Sequence, residues 1–172
     1  VPRSCLPPRV LTTASVGLAM FSGSLFSTVF FPRASASTDR PRLWRGLWRA
    51  WRFALVPSFL AFTLAQGVVL ILMGRAAFSL EPRRIALFAL CSCVVLMQTS
   101  LGQVIGAEGV RGARLGLLMS LAMGGLNLAG SLALIPRWGI EGAVAAMTVS
   151  YAVGLAWLRL VGRRYLHDWA AA

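Results

Sequence analysis

No lysine occurs in the 172 residues, acids number five, and there is one histidine. Neither the acids nor the histidine fall inside the long apolar runs that make up most of the chain, which excludes a carboxylate or imidazole proton relay within them. Three cysteines are too few for a disulfide scaffold. Two of them form Cys91-Ser-Cys93 inside an apolar run, with no second pair and no nearby histidine, so they read as buried thiols and not as a metal or redox centre. No nucleophile elbow, phosphate loop or carboxylate pair is present, and no enzyme, cofactor or metal site is expected. What is abundant is apolar side chain: 58% of the residues are hydrophobic, 13% are charged, and the mean hydropathy is +0.73. That excludes a disordered chain and an ordinary soluble domain. The formal charge of +12 comes entirely from arginines. Nucleic acid would require them in one polar stretch, yet they sit in short clusters between apolar runs, so no nucleic-acid partner is expected.

A membrane-crossing helix needs about 20 mainly apolar residues. Five such runs are predicted, at Val10–Phe31, Phe53–Met73, Ile85–Ala107, Leu115–Ile135 and Gly142–Val161. They leave an external segment 1–9, a connection 32–52 and a tail 162–172. The first run is too long for a signal-peptide core and has no small-residue cleavage site after it, so it reads as a span. The fold class expected is therefore all-α, a polytopic transmembrane helix bundle.

Arginines alternate unevenly across these spans. One side collects Arg33, Arg40, Arg42, Arg45, Arg49, Arg52, Arg111, Arg114, Arg159, Arg163 and Arg164; the other has Arg3, Arg9, Arg75, Arg83, Arg84 and Arg137. The richer side is expected to be cytoplasmic, which places the chain in the inner membrane with its C-terminus inside. Arg159 lies one turn from the end of its span and is expected to snorkel. An odd number of spans with an external start, and a first residue Val1 where a Met would stand, together suggest a piece of a longer reading frame.

The connection 32–52 has helical order. Trp44, Leu47, Trp48 and Trp51 follow i, i+3, i+4, i+7, while Arg42, Arg45, Arg49 and Arg52 lie about 130° away on another face. Asp39 suits an N-cap, and Pro41 falls in the first turn where a missing N–H costs little. The pattern predicts a short amphipathic helix on the inner leaflet, its tryptophans among headgroups and its arginines against anionic lipid, whether as a topology determinant or as a trap for a diphosphate headgroup.

Small and polar residues recur at helical spacing in the last three runs: Thr99, Gly102, Gln103 and Gly106; Gly116, Ser120, Gly124, Asn127 and Ser131; Gly142, Ala146, Ser150 and Gly154. Close helix packing accounts for such stripes. The other reading is that Gln66, Gln98, Gln103 and Asn127 line a hydrated cavity whose amides match sugar hydroxyls. Pro57, one turn into the second run, is a place for a kink.

The segment from Asn127 to Tyr151, with the turn Leu134-Ile-Pro-Arg-Trp-Gly-Ile-Glu-Gly-Ala143, resembles the end of the polysaccharide-biosynthesis flippases of the multidrug/oligosaccharidyl-lipid/polysaccharide exporter superfamily. Val29-Phe-Phe-Pro-Arg-Ala-Ser35 and Gln103-Val-Ile-Gly-Ala-Glu-Gly-Val-Arg111 resemble two further family signatures in the same order, so the likeness covers about 11–164. In the turn, Pro136 is expected to stop one helix, Gly139 to allow the reversal and Trp138 to anchor at the interface. The resemblance implies the C-terminal half of a MATE-like bundle that moves an undecaprenyl-diphosphate-linked oligosaccharide for the cell envelope, lipopolysaccharide included, by alternating access. On that hypothesis Gln66, Gln103 and Asn127 in the cavity contact substrate and Arg111 and Arg114 stand at the cytoplasmic mouth, joining Arg42, Arg45, Arg49 and Arg52 of the amphipathic stretch as expected contacts for a headgroup diphosphate or anionic lipid. Its partners would be the lipid-linked glycan, anionic lipids and N-terminal helices of the same chain, through which any ion coupling would run. A lipid II flippase, a cation-coupled drug exporter, or a non-transporting subunit of a polysaccharide assembly complex remain alternatives.

Overall fold

The computed structural model describes residues 21–171 except 22, 25, 26, 30, 33, 38 and 73–81. Four long helices dominate: α1 Arg40–Leu72, α2 Pro82–Gly106, α3 Val110–Trp138 and α4 Ile140–Ala171. No strand occurs among the described residues. Each of the four is long and apolar enough to cross a membrane, so the chain is an all-α polytopic bundle. The expected count was five. Most of the first expected span, Val10–Phe31, lies outside the described residues; between 21 and 36 the chain is helical wherever it is described.

The connection 32–52 does not form a separate interfacial helix. Its Trp/Arg segment is the first part of α1, whose 33 residues run on through Phe53 and Pro57. The helix runs without a break from Trp48 through Leu55, so the amphipathic stretch and the span fuse. At 1.5 Å per residue the fused helix is about 50 Å long, some 20 Å more than a hydrocarbon layer. Asp39 caps it as expected: its Oδ1 accepts the Arg42 N–H at 3.0 Å, and its carbonyl accepts the Leu43 N–H at 3.2 Å.

Glycines set the α2–α3 and α3–α4 turns. Gly109 has φ +72° and opens α3 after a three-residue turn. The link from α3 to α4 is Gly139 alone, at φ +56° and ψ −131°, its N–H bonded to the Ile135 carbonyl at 2.8 Å. Pro136, expected to stop the helix, lies inside the last turn of α3 instead. A proline there forfeits one N–H near the helix end, whereas the reversal itself needs backbone angles that side chains oppose.

Cross-helix contacts set the register. Trp51 meets Ser100 and Phe62 meets Ala89 and Cys93, so α1 runs antiparallel to α2. Gly112 lies against the Ile105 carbonyl and Gln98 meets Met119 and Met123, making α3 antiparallel to α2 in turn. Arg84 meets Glu141 and Leu101 clusters with Leu158, so α4 runs parallel to α2. The centre is α2: half of its apolar window is buried, against 11% for α1 and α3. Ala89, Cys93, Leu101 and Val104 are essentially inaccessible, while Phe53, Val56, Leu60 and Leu64 of α1 and Leu117, Leu121, Leu128 and Leu132 of α3 point outward. An apolar face of that extent belongs in lipid or against another helix.

Candidate functional site

The register brings the arginines of three helices to one end of the bundle. Arg42, Arg45, Arg49 and Arg52 on α1, Arg111 and Arg114 on α3, and Arg159 and Arg164 on α4 share this end, all with exposed side chains. At the other end lie Arg83, Arg84 and Arg137, where Arg84 Nε donates to Glu141 Oε1 at 2.7 Å. The six arginines expected to meet anionic groups thus share one end but not one site. Arg45, Arg49 and Arg52 line a cleft of about 500 Å³ together with Arg159, Trp44, Trp48, Trp51, Leu55 and Met97. Arg42 instead lines a separate depression with Asp39, Leu43 and Gly46. Arg111 and Arg114 are not among the walls of either.

Two of the tryptophans are covered by the bundle, where an in-plane helix would leave them facing lipid. Trp44 is 3% exposed and Trp51 6%. Trp51 Nε1 donates to Ser100 Oγ at 2.7 Å, and Trp44 packs against Leu101, Val104 and Leu158. Gly162 makes this seat: a Cβ there would overlap the Trp44 indole. Trp48 stands edge-on to Trp44, with centroids 6.1 Å apart and planes at 69°. Over its ring lies the Arg159 guanidinium, 5.7 Å from the centroid, a cation–π geometry. Trp48 Nε1 is buried without a partner.

The cleft is therefore walled by guanidinium groups and indoles together, with no acid among the described residues lining it. Arg45 Nε bonds only the Pro41 carbonyl, at 3.3 Å. Guanidinium groups supply forked donors that suit phosphate or carboxylate oxygens. Such a site can hold an anion and orient it, but it contains no nucleophile and no general base. Arg159 escaped the sequence reading, where it was a snorkelling side chain. Only its position level with Arg49, set by the parallel register of α2 and α4, makes it part of the cleft.

The amides expected to share a cavity are dispersed. By the α1–α2 register Gln66 is level with Ile85, whereas Gln103 is level with Trp48, a separation of about 27 Å along the axis. Gln66 is 2% exposed, and both its amide atoms are buried without a partner. Gln103 Nε2 donates to Ser27 Oγ at 3.0 Å, which ties the helical stretch around residue 27 to α2. Asn127 Oδ1 is buried and also lacks a partner. Gln98 Nε2 faces the sulfurs of Met119 and Met123 at 4.0 and 3.7 Å. None of Gln66, Gln103 and Asn127 lines the arginine cleft. Protein-family models, curated proteins and solved structures contain no match to this chain.

Proposed function

We propose that this chain acts in a flippase that moves undecaprenyl-diphosphate-linked oligosaccharide across the cytoplasmic membrane by alternating access. The observation that carries the reading is the gathering of Arg42, Arg45, Arg49, Arg52, Arg111, Arg114 and Arg159 at one end of an otherwise apolar bundle. By the positive-inside rule that end is cytoplasmic, the side on which the lipid-linked glycan is built. The arginines draw the diphosphate to the bundle, the hydroxyl-rich sugar is sheltered from hydrocarbon, and the polyprenyl tail stays in the lipid. The family resemblance of 127–151 and the two shorter signatures support the same substrate class. The outward face of α3, with Leu121, Gly124 and Leu128, is where N-terminal helices of the same chain would close the pathway, and Gln66 and Asn127, which have buried amide atoms without partners, are the amides that would meet glycan hydroxyls once the bundle opens.

The test is export in the organism that carries the gene. With Arg45, Arg49 and Arg52 changed together to Gln in the full-length protein, surface glycan is expected to fall about tenfold or more, at roughly 1 kcal/mol per arginine, and lipid-linked oligosaccharide to accumulate on the inner leaflet. Unchanged export at normal protein levels would reject the reading.

A further inference from the structure

The arginine cleft is graded along the membrane axis. Arg45 stands nearest the end of the bundle, Arg49 and Arg159 are level with Gly102, and Arg52 is level with Thr99. Leu55 and Met97, the deepest walls, are level with one another and apolar. Beyond Leu55 the exposed face of α1 continues as Val56, Leu60 and Leu64. Charge at the mouth, hydrocarbon at the base and an apolar strip leading away match a molecule with an anionic head and a long apolar tail. A soluble anion would match only the first of these.

We propose that this cleft is a resident lipid site, in which the phosphate of one anionic membrane lipid sits between Arg49 of α1 and Arg159 of α4 and its first chain lies along Leu55 and Val56. Three features support a preformed site. Its volume of about 500 Å³ falls within the 300–1,000 Å³ typical of small-molecule sites. Arg159 is held in place by the Trp48 ring. Four guanidinium groups with no acid lining the same cleft repel one another until an anion enters, so binding is favoured over the empty state. Occupancy joins α1 to α4, helices that already meet at this end where Trp44 packs against Gly162. The inference rests on this end being the headgroup end, but not on transport.

The experiment is lipid retention by the full chain. The protein is purified in detergent, offered an equimolar mixture of dioleoyl phosphatidylglycerol and dioleoyl phosphatidylcholine, and read by native mass spectrometry. One phosphatidylglycerol is expected to stay bound with about tenfold preference. Arg49→Gln with Arg159→Gln is expected to lower its retention about tenfold, while Arg83→Gln with Arg137→Gln at the opposite end leaves it unchanged. Leu55→Gln, at an exposed position with the arginines intact, is expected to weaken retention as well. Sodium phosphate is expected to displace the lipid no better than chloride at equal ionic strength. No preference for phosphatidylglycerol, equal loss from the Arg83/Arg137 variant, or displacement by inorganic phosphate would overturn the site. Loss of export with lipid retention intact would reject the flippase reading and leave the site standing.

Discussion

At the residue scale, the bundle turns on positions where a side chain is absent. Gly162 lets the Trp44 indole lie directly against α4, Gly154 admits the Met123 side chain, and Gly142 sits on the Leu134 carbonyl. Such close approach is how helices associate where apolar burial gains little over lipid. Gly162→Ala is expected to lower stability by about 1–3 kcal/mol. It is also expected to loosen the Trp44 wall of the cleft, read as an earlier thermal transition in detergent and greater quenching of tryptophan by acrylamide. An unchanged transition would show that Trp44 is not seated on α4. The expected stripe Gly142, Ala146, Ser150 and Gly154 is a packing stripe as the simplest reading held, since all four are buried.

At the element scale, helix boundaries follow backbone geometry more closely than punctuation in the sequence. Pro136 and Pro57 both stand inside helices, because one missing hydrogen bond is tolerated where neighbouring bonds and packing persist. Gly139 is different: its φ of +56° with ψ of −131° lies outside the regions open to other residues. Gly139→Ala is therefore expected to cost about 1–3 kcal/mol and to loosen the α3–α4 hairpin. Pro136→Ala is expected to be neutral or mildly stabilising, since it restores an N–H to the ladder. Thermal melts of the two variants side by side check this, and a larger loss from the proline change would reverse the assignment. The Trp and Arg faces of α1 were legible from periodicity. That they belonged to the span was not, because periodicity reports a face and is silent on what covers it.

At the scale of the whole molecule, the up-and-down alternation of four helices sorts arginines scattered along the chain into a large group at one end and Arg83, Arg84 and Arg137 at the other. Cysteines introduced at Arg111 and at Arg137 are expected to react with an impermeant maleimide from opposite sides of sealed vesicles, position 111 from the cytoplasmic side. Labelling of both from one side would refute the topology and with it the headgroup end. Helical class and the existence of apolar helices over the third, fourth and fifth expected runs followed from the sequence by itself, because hydropathy is a one-dimensional property; the last two helices, Val110–Trp138 and Ile140–Ala171, run beyond the bounds hydropathy gave. Only the tertiary structure decided that Arg159 stands with Arg49, that Trp44 and Trp51 face α2 and α4 instead of lipid, and that Gln66 and Gln103 are far apart. Those facts depend on register and on which face meets which, and a chain acquires them only when its helices pack.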